Sequence, residues 1–123
     1  MESPASIVRV ERFRELAPSG NAAVLQLVEL FLGQMREQLE KLREAIGRES
    51  LPDVELLAHR LAGTSATCGA DSVSRPLVEL ERAAKSGTLA GAAQHLAAAV
   101  TAFARTEDFL LGYVAGLSER QHG

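Results

Sequence analysis

The 123-residue sequence is poor in aromatic residues, in cysteine and in long uncharged stretches. It has no tryptophan, and aromatic residues make up 4% of the chain, so its core must consist largely of leucine, valine and alanine. The single cysteine, Cys68, excludes an internal disulfide and fits a reducing compartment. No stretch reaches the roughly 18 uncharged apolar residues of a membrane span, and the N-terminus shows no signal peptide. We therefore expect a cytoplasmic protein.

Length and charge narrow the class of protein further. Apolar residues make up 46% of the chain, enough for one hydrophobic core. The length fits a single domain over residues 1–123, with its core at about 7–115. A net charge of −3 argues against a nucleic-acid partner bound through its phosphates. The sequence therefore predicts one folded domain, with a monomer as the simplest expectation.

Apolar residues recur every three or four positions along most of the chain, a pattern typical of amphipathic helices. Together with breaks at glycine and proline, this spacing predicts five helices, at about 7–16, 21–47, 50–69, 70–87 and 88–114. The four long ones are joined by loops of a few residues. The sequence therefore predicts an all-α fold, an antiparallel four-helix bundle with a short additional N-terminal helix.

Local signals set the expected ends of these helices. Candidate caps at their starts and glycines at their ends are Ser6, Asn21, Ser50 and Thr88, and Gly47, Gly69 and Gly87. Pro76 suits the fourth helix only in the first turn, where its missing N–H is harmless. Residues 1–5 and 118–123 are expected to be loose ends. The inward-facing candidates of the last helix are Leu89, Ala93, Leu96, Val100, Phe103 and Leu110.

The stretch LAHRLAGTSATCG, residues 57–69, reads as one helix that carries a surface histidine. The stripe expected to face the core consists of Leu57, Leu61, Thr64 and Cys68. His59 lies about 200° round the helix from Leu57, so it points away from that stripe. An exposed imidazole is mostly neutral at cellular pH, which makes it a usable nucleophile. His59 is therefore the first candidate for a functional residue.

Small residues surround His59 on its own face of the helix. The third, fourth and seventh residues after it are Ala62, Gly63 and Ala66. A glycine inside a helix costs roughly 1 kcal/mol relative to alanine, so Gly63 needs a reason. One reason is to leave the imidazole clear for another protein; the alternative is close packing between helices. We interpret the three residues as shaping a site.

The residues around His59 resemble those of a known family. The pattern is Ala58-His59, Leu61, Gly63-Thr64-Ser65 and Gly69, followed by Leu80-Glu81 and preceded by LVELFLGQM at 27–35. This pattern is similar to that of the histidine phosphotransfer domain, which carries phosphoryl groups in phosphorelays. The similarity runs from about Val10 to about Arg105.

The resemblance implies a helical bundle in which His59 is the phosphorylation site. It implies receiver domains of response regulators or hybrid histidine kinases as partners, docking around His59 with Leu56 and part of the first helix as apolar contacts. These partners bring the accepting aspartate and the Mg²⁺ ion. We therefore expect no metal site and no cofactor in this chain, which would be a phosphoryl carrier and not a stand-alone enzyme.

One residue departs from the family pattern. The family usually has a lysine three residues after the histidine, where this chain has Ala62. Arg60 and Lys85 are the candidate replacements for that positive charge. Loss of one screened charge should still allow phosphorylation, but the transfer rate could depend on it more strongly.

Three alternatives stand beside the carrier hypothesis. An interaction module of the same fold could bind a receiver or kinase without efficient transfer, and Ala62 motivates it. Glu55 and His59 could share a metal ion, although bundle metal sites draw ligands from several helices. A nucleophilic enzyme that uses Cys68 and His59 is the third alternative, but the two residues are separated by roughly 13 Å along one helix, far outside hydrogen-bond reach.

The role of Glu81 is left open by the sequence. It is either a residue that orients His59 or a solvated charge.

Overall fold

The computed structural model describes residues 7–122, with side chains described as far as Ser118. Helices are the regular structure of this part of the chain, in which no strand occurs. In chain order they are α1 (Glu11–Leu16), α2 (Asn21–Gly47), α3 (Leu51–Thr67), α4 (Asp71–Lys85) and α5 (Ala92–His122). Each long helix packs on two others, in the ring α2–α3–α4–α5, and α1 packs on α2. The predicted all-α bundle with a short extra helix is confirmed.

The core is built mainly from aliphatic side chains, as the low aromatic content requires. Along α2 the buried residues recur every three or four positions: Val24, Val28, Phe31, Leu32, Met35, Leu39, Leu42 and Ala45. The fully buried Phe13 of α1 meets Phe31 edge to face, with 5.6 Å between ring centroids. This geometry is the one that aromatic rings prefer, and it anchors α1 to the bundle.

Residues 7–10, which we call the N-terminal strap, cross the turn between α3 and α4. The Arg9 amide donates to the Gly69 carbonyl at 3.0 Å, Ser72 Oγ donates to the Ile7 carbonyl at 3.3 Å, and Val8 is buried. The helix predicted over 7–16 is therefore not continuous: Ile7 is helical, residues 8–10 are not, and α1 begins at Glu11. The predicted cap Ser6 and the loose end at 1–5 lie outside the described residues.

The turn that follows α3 requires glycine. Gly69 has a φ of +78°, a conformation that other residues rarely adopt. A Cβ atom at Gly69 would also lie 2.8 Å from the Arg9 carbonyl oxygen, well inside contact distance. The strap and the α3–α4 turn are thus fitted to each other.

The predicted caps at the helix starts are only partly confirmed. Ser50 is the residue before α3, but its side chain makes no capping hydrogen bond. Asn21 is the first residue of α2, with Gly20 before it, and α5 begins at Ala92, beyond the predicted cap Thr88.

The glycines predicted at the helix ends are largely confirmed, with local corrections. Gly47 is the last residue of α2, but the left-handed residue that follows is Glu49, with a φ of +57°. Gly87 follows α4 with a φ of +86°, as its predicted role requires. The prediction for Pro76 is wrong, since it lies in the second turn of α4, which begins at Asp71.

The buried face of α3 is rotated relative to the predicted stripe. Its buried residues are Val54, Ala58, Leu61, Ala62 and Ser65. Thr64, predicted to face the core, is exposed, whereas Ser65 is buried and donates to the Leu61 carbonyl at 2.7 Å. A hydroxyl satisfied within its own helix can be buried at little cost. This allows a small polar residue at a core position.

The register of α5 is partly mispredicted. Phe103 and Leu110 are buried as predicted, but Ala93 and Val100 are exposed. Ala92 and Ala99 are buried in their place, one residue earlier. The helix also continues to His122, past its predicted end at about Val114. No helix within the described residues is both long and apolar enough to cross a membrane.

Candidate functional site

His59 stands near the middle of α3, on the side next to α4. Its side chain is 71% exposed, and its Nδ1 atom lies 3.0 Å from Oε2 of Glu81 on α4. An ionised carboxylate can only accept hydrogen bonds, so Nδ1 carries the proton and donates. In the neutral ring, Nε2 then holds the lone pair. The contact with Glu81 therefore fixes the tautomer and leaves the lone pair of Nε2 unprotonated.

Glu81 accepts from two groups at once. Lys85 Nζ lies 3.2 Å from the same Oε2 atom that His59 contacts. Partial burial acts to raise the pKa of Glu81, but the hydrogen bonds from Lys85 and His59 hold that pKa below its ordinary value. Glu81 is therefore a carboxylate at neutral pH. The solvated charge considered for it from the sequence alone does not fit, since its side chain is only 13% exposed.

The His59 ring stands between two shallow grooves. The Lys85 groove, towards the start of α3, is lined by Pro52, Glu55, Leu56, His59, Glu81 and Lys85. The small-residue groove, towards the end of α3, is lined by His59, Ala62, Gly63, Ala66, Ser74, Val78 and Glu81. One groove thus carries a lysine, and the other is mainly small and apolar.

Exposed apolar side chains flank the histidine on both helices. Leu56 on α3 is 46% exposed, and Val78 on α4 is 38% exposed. Leu56 was predicted from the resemblance, but Val78 was not. A signal for Val78 was available, because it precedes Glu81 by three residues and so shares its helix face. Assigning Glu81 to the site places Val78 there too.

The small residues after His59 differ in their surroundings. Ala62 is buried, and its carbonyl accepts from the buried Ser74 Oγ at 3.0 Å, which ties α4 to α3 beside the site. Gly63 and Ala66 are exposed. A Cβ atom added at Gly63 would meet nothing within 4 Å. Close packing between helices therefore does not explain Gly63.

The two candidate cations lie in different places. Lys85 lines a groove together with His59, whereas Arg60 lines a separate groove between α2 and α3 with Gln34, Gln38 and Thr64. The two grooves have no lining residue in common. By position, Lys85 is therefore the cation of the pair that adjoins the histidine.

The metal and thiol alternatives gain no support. Across residues 7–118, no three His, Cys, Asp or Glu side chains cluster in a way suited to a metal ion. Cys68 is buried at the end of α3, and its burial raises the pKa of the thiol, against a smaller opposing effect of Arg12. A raised pKa disfavours the reactive thiolate.

Comparison with known proteins identifies the family. The family model of the Hpt domain matches residues 26–111, and the chain belongs to this family. It therefore has a phosphorelay histidine phosphotransfer role, as a phosphocarrier and not a classical enzyme. Hpt domains interact with receiver or kinase partners in two-component systems.

A solved structure shares the fold. The crystal structure of histidine-containing phosphotransfer protein B (HptB) from Pseudomonas aeruginosa PAO1 superposes with a TM-score of 0.81. The match covers 88% of this chain and 94% of that one at 20% sequence identity, which establishes similarity of fold alone. No curated protein sequence matches the chain. The strap and α1 lie outside the family match.

Proposed function

We propose that the protein is a phosphorelay intermediate: His59 accepts a phosphoryl group from a receiver-domain aspartate and passes it to another receiver domain. The observation that carries this proposal is the contact between His59 Nδ1 and Glu81, which leaves Nε2 free at the surface. A carrier needs its nucleophile exposed and fixed in one tautomer. We also propose that the protein is a monomer and that it acts in the cytoplasm.

In the proposed reaction, the Nε2 lone pair attacks the phosphorus of an aspartyl phosphate. The bond between phosphorus and the aspartate oxygen breaks, and its electron pair returns to the carboxylate. Nδ1 keeps its proton throughout, so the phosphorylated ring is cationic and its N–H continues to donate to Glu81. Glu81 is thus a positioning residue that also stabilises the charge on the ring. Transfer to the next receiver reverses these steps.

The surface around His59 suits docking of a receiver domain. Leu56 and Val78 offer apolar contacts on either side of the ring. Gly63 and Ala66 leave space for loops of the partner. Positioning of the two reacting groups is the main contribution such a complex makes to the rate. The accepting aspartate and the Mg²⁺ ion would come from the receiver, with no cofactor bound by this chain.

A transfer assay tests this proposal. Phosphorylated receiver domains would be mixed with the wild-type protein, with His59→Gln, and with His95→Gln as a control histidine on α5. Intact mass at neutral pH should show an acid-labile gain of one phosphoryl group on the wild type and on His95→Gln, and none on His59→Gln. Labelling of His59→Gln would disprove the assignment of His59.

The second candidate is an Hpt-like module that binds a receiver or kinase without efficient transfer. Ala62 favours it, because this position lacks the lysine usual in the family. Binding of a receiver that never labels His59 would support this candidate. A large gain in transfer rate on Ala62→Lys would instead indicate a carrier weakened at this position.

A further inference from the structure

The positive charge beside His59 is Lys85, which lies on α4. In the family the usual lysine would lie on α3, at the position that Ala62 occupies here. Ala62 lines the small-residue groove, which contains no lysine or arginine. Lys85 lines the groove on the other side of the imidazole ring. We propose, on the basis of the proposed function, that Lys85 contacts the phosphoryl oxygens on His59 from this opposite side and so replaces the missing lysine of α3.

The distances place Lys85 within reach of the reacting ring. Lys85 Nζ is 3.2 Å from Glu81 Oε2, and His59 Nδ1 is 3.0 Å from the same atom. Because the two contacts share one oxygen, the ammonium lies within two hydrogen-bond lengths of the imidazole. A lysine has a flexible stem of four carbons and three donors, so its head can turn towards Nε2 without movement of the backbone.

Lys85 is also free to make that turn. Its side chain is 60% exposed, and its partner Glu81 lies one helical turn earlier. Because the ammonium end of this pair is exposed, Lys85 can leave the carboxylate for phosphoryl oxygens without first coming out of a buried position. A phosphoryl group also carries more negative charge than a carboxylate. When Lys85 leaves, Glu81 keeps its contact with the ring N–H, which has become part of a cation.

The chain provides a matched control for this lysine. Lys41 is the other of its two lysines, and Nζ of Lys41 lies 3.5 Å from Glu37 Oε1, again one turn earlier in the helix. The Glu37–Lys41 pair is on α2, which does not contribute to either groove beside His59. Replacing Lys41 removes the same charge and the same kind of ion pair without affecting the site.

The test compares the rate of phosphoryl transfer from one phosphorylated receiver domain to wild type, Lys85→Gln, Lys85→Arg and Lys41→Gln. Loss of a group that stabilises transferred charge should slow Lys85→Gln by about tenfold or more. Lys85→Arg should keep most of the rate, and Lys41→Gln all of it. Equal rates for Lys85→Gln and Lys41→Gln, both near wild type, overturn the proposal.

Two further variants separate direct contact from an effect through Glu81. If Lys85 contacts the phosphoryl group, Lys85→Gln slows a Glu81→Gln protein by the same factor as it slows wild type. If it acts only through Glu81, the second substitution has no effect and the proposal fails.

Failure of this proposal is distinguishable from failure of the proposed function. If wild type accepts no phosphoryl group from any receiver, the carrier function itself is wrong. If wild type is labelled on His59 and Lys85→Gln is labelled equally fast, the carrier function holds and the role of Lys85 is wrong.

Discussion

At the scale of single residues, the charge of Glu81 is the feature most open to test. Its pKa is lower in the folded protein than in an unfolded chain, where neither His59 nor Lys85 is held beside it. A depressed carboxyl pKa stabilises the folded state at pH values above the unfolded pKa of about 4.3, and this contribution is lost as the pH falls through the folded pKa. Glu81 should therefore favour folding near neutral pH and contribute nothing in strong acid.

We accordingly expect Glu81→Gln to lower the melting temperature at about pH 7, and we expect this effect to shrink as the pH falls below about 4.3 and through the folded pKa. Thermal unfolding followed by circular dichroism across this range would measure the difference. Glu79→Gln, an exposed glutamate of the same helix paired with Arg82, is the control. A difference between wild type and Glu81→Gln that does not depend on pH would mean that Glu81 stabilises the fold without its charge.

Gly63 offers a second test at this scale. Its added Cβ would enter open space, as would that of Gly33 on α2, and both residues are exposed within a helix. Either glycine changed to alanine should raise the free energy of unfolding by about 0.5–1 kcal/mol. Only Gly63→Ala should weaken receiver binding or slow transfer, because only Gly63 lines the His59 site. Unchanged transfer by Gly63→Ala would show that a partner tolerates a methyl group there.

Only the part of the site that lies on α3 could be predicted from the sequence. The spacing of Ala62, Gly63 and Ala66 from His59 is fixed by helix geometry, so their common face was predictable. The contact with Glu81 spans two helices and depends on how α3 and α4 are rotated against each other. Nothing in the sequence sets that rotation, which is why the role of Glu81 remained open.

At the scale of elements, the joint between the strap and the α3–α4 turn is the most sensitive point. Gly69 and Gly87 both have positive φ, of +78° and +86°, but only Gly69 has the Arg9 carbonyl within reach of a Cβ atom. Gly87→Ala should therefore cost only the backbone strain, about 1–2 kcal/mol. Gly69→Ala should cost about 1–3 kcal/mol more, because the strap must also shift.

Urea unfolding of Gly69→Ala and Gly87→Ala measures the difference between their free energies of unfolding. Hydrogen exchange at the Arg9 amide, which donates to the Gly69 carbonyl, should become faster in Gly69→Ala alone. If both variants lose the same stability and exchange at Arg9 is unchanged, the strap does not constrain the turn.

The helices themselves could be predicted well where their side chains differ in size. In α2, large apolar residues alternate with charged ones, and its ends and most of its buried residues were predictable. In α5, alanine occupies both faces, so patterns based on Ala92 and on Ala93 fit almost equally well. Packing against α2 and α4 settles the register, with Ala92 and Ala99 inside. The strap could not be predicted either, because the α3–α4 turn to which it is bonded is distant in sequence.

At the scale of the whole molecule, the family match and the folded unit have different extents. The match covers residues 26–111, yet Val8 and Phe13 are part of the same continuous core. Burial of such side chains contributes about 1.5–3 kcal/mol each. A domain of this size typically has a net stability of 5–15 kcal/mol. The segment before α2 should therefore account for a substantial part of the stability.

A chain that begins at Gly20 tests this expectation. It lacks the strap and α1 but keeps every residue that lines the two grooves beside His59. We expect the urea midpoint to fall by the equivalent of several kcal/mol. At about 10 °C, the folded fraction should still accept a phosphoryl group on His59 at a rate within a few-fold of the full chain. A truncated chain that keeps its stability but loses transfer would instead place α1 in the docking surface, with its exposed Leu16 as the first residue to replace.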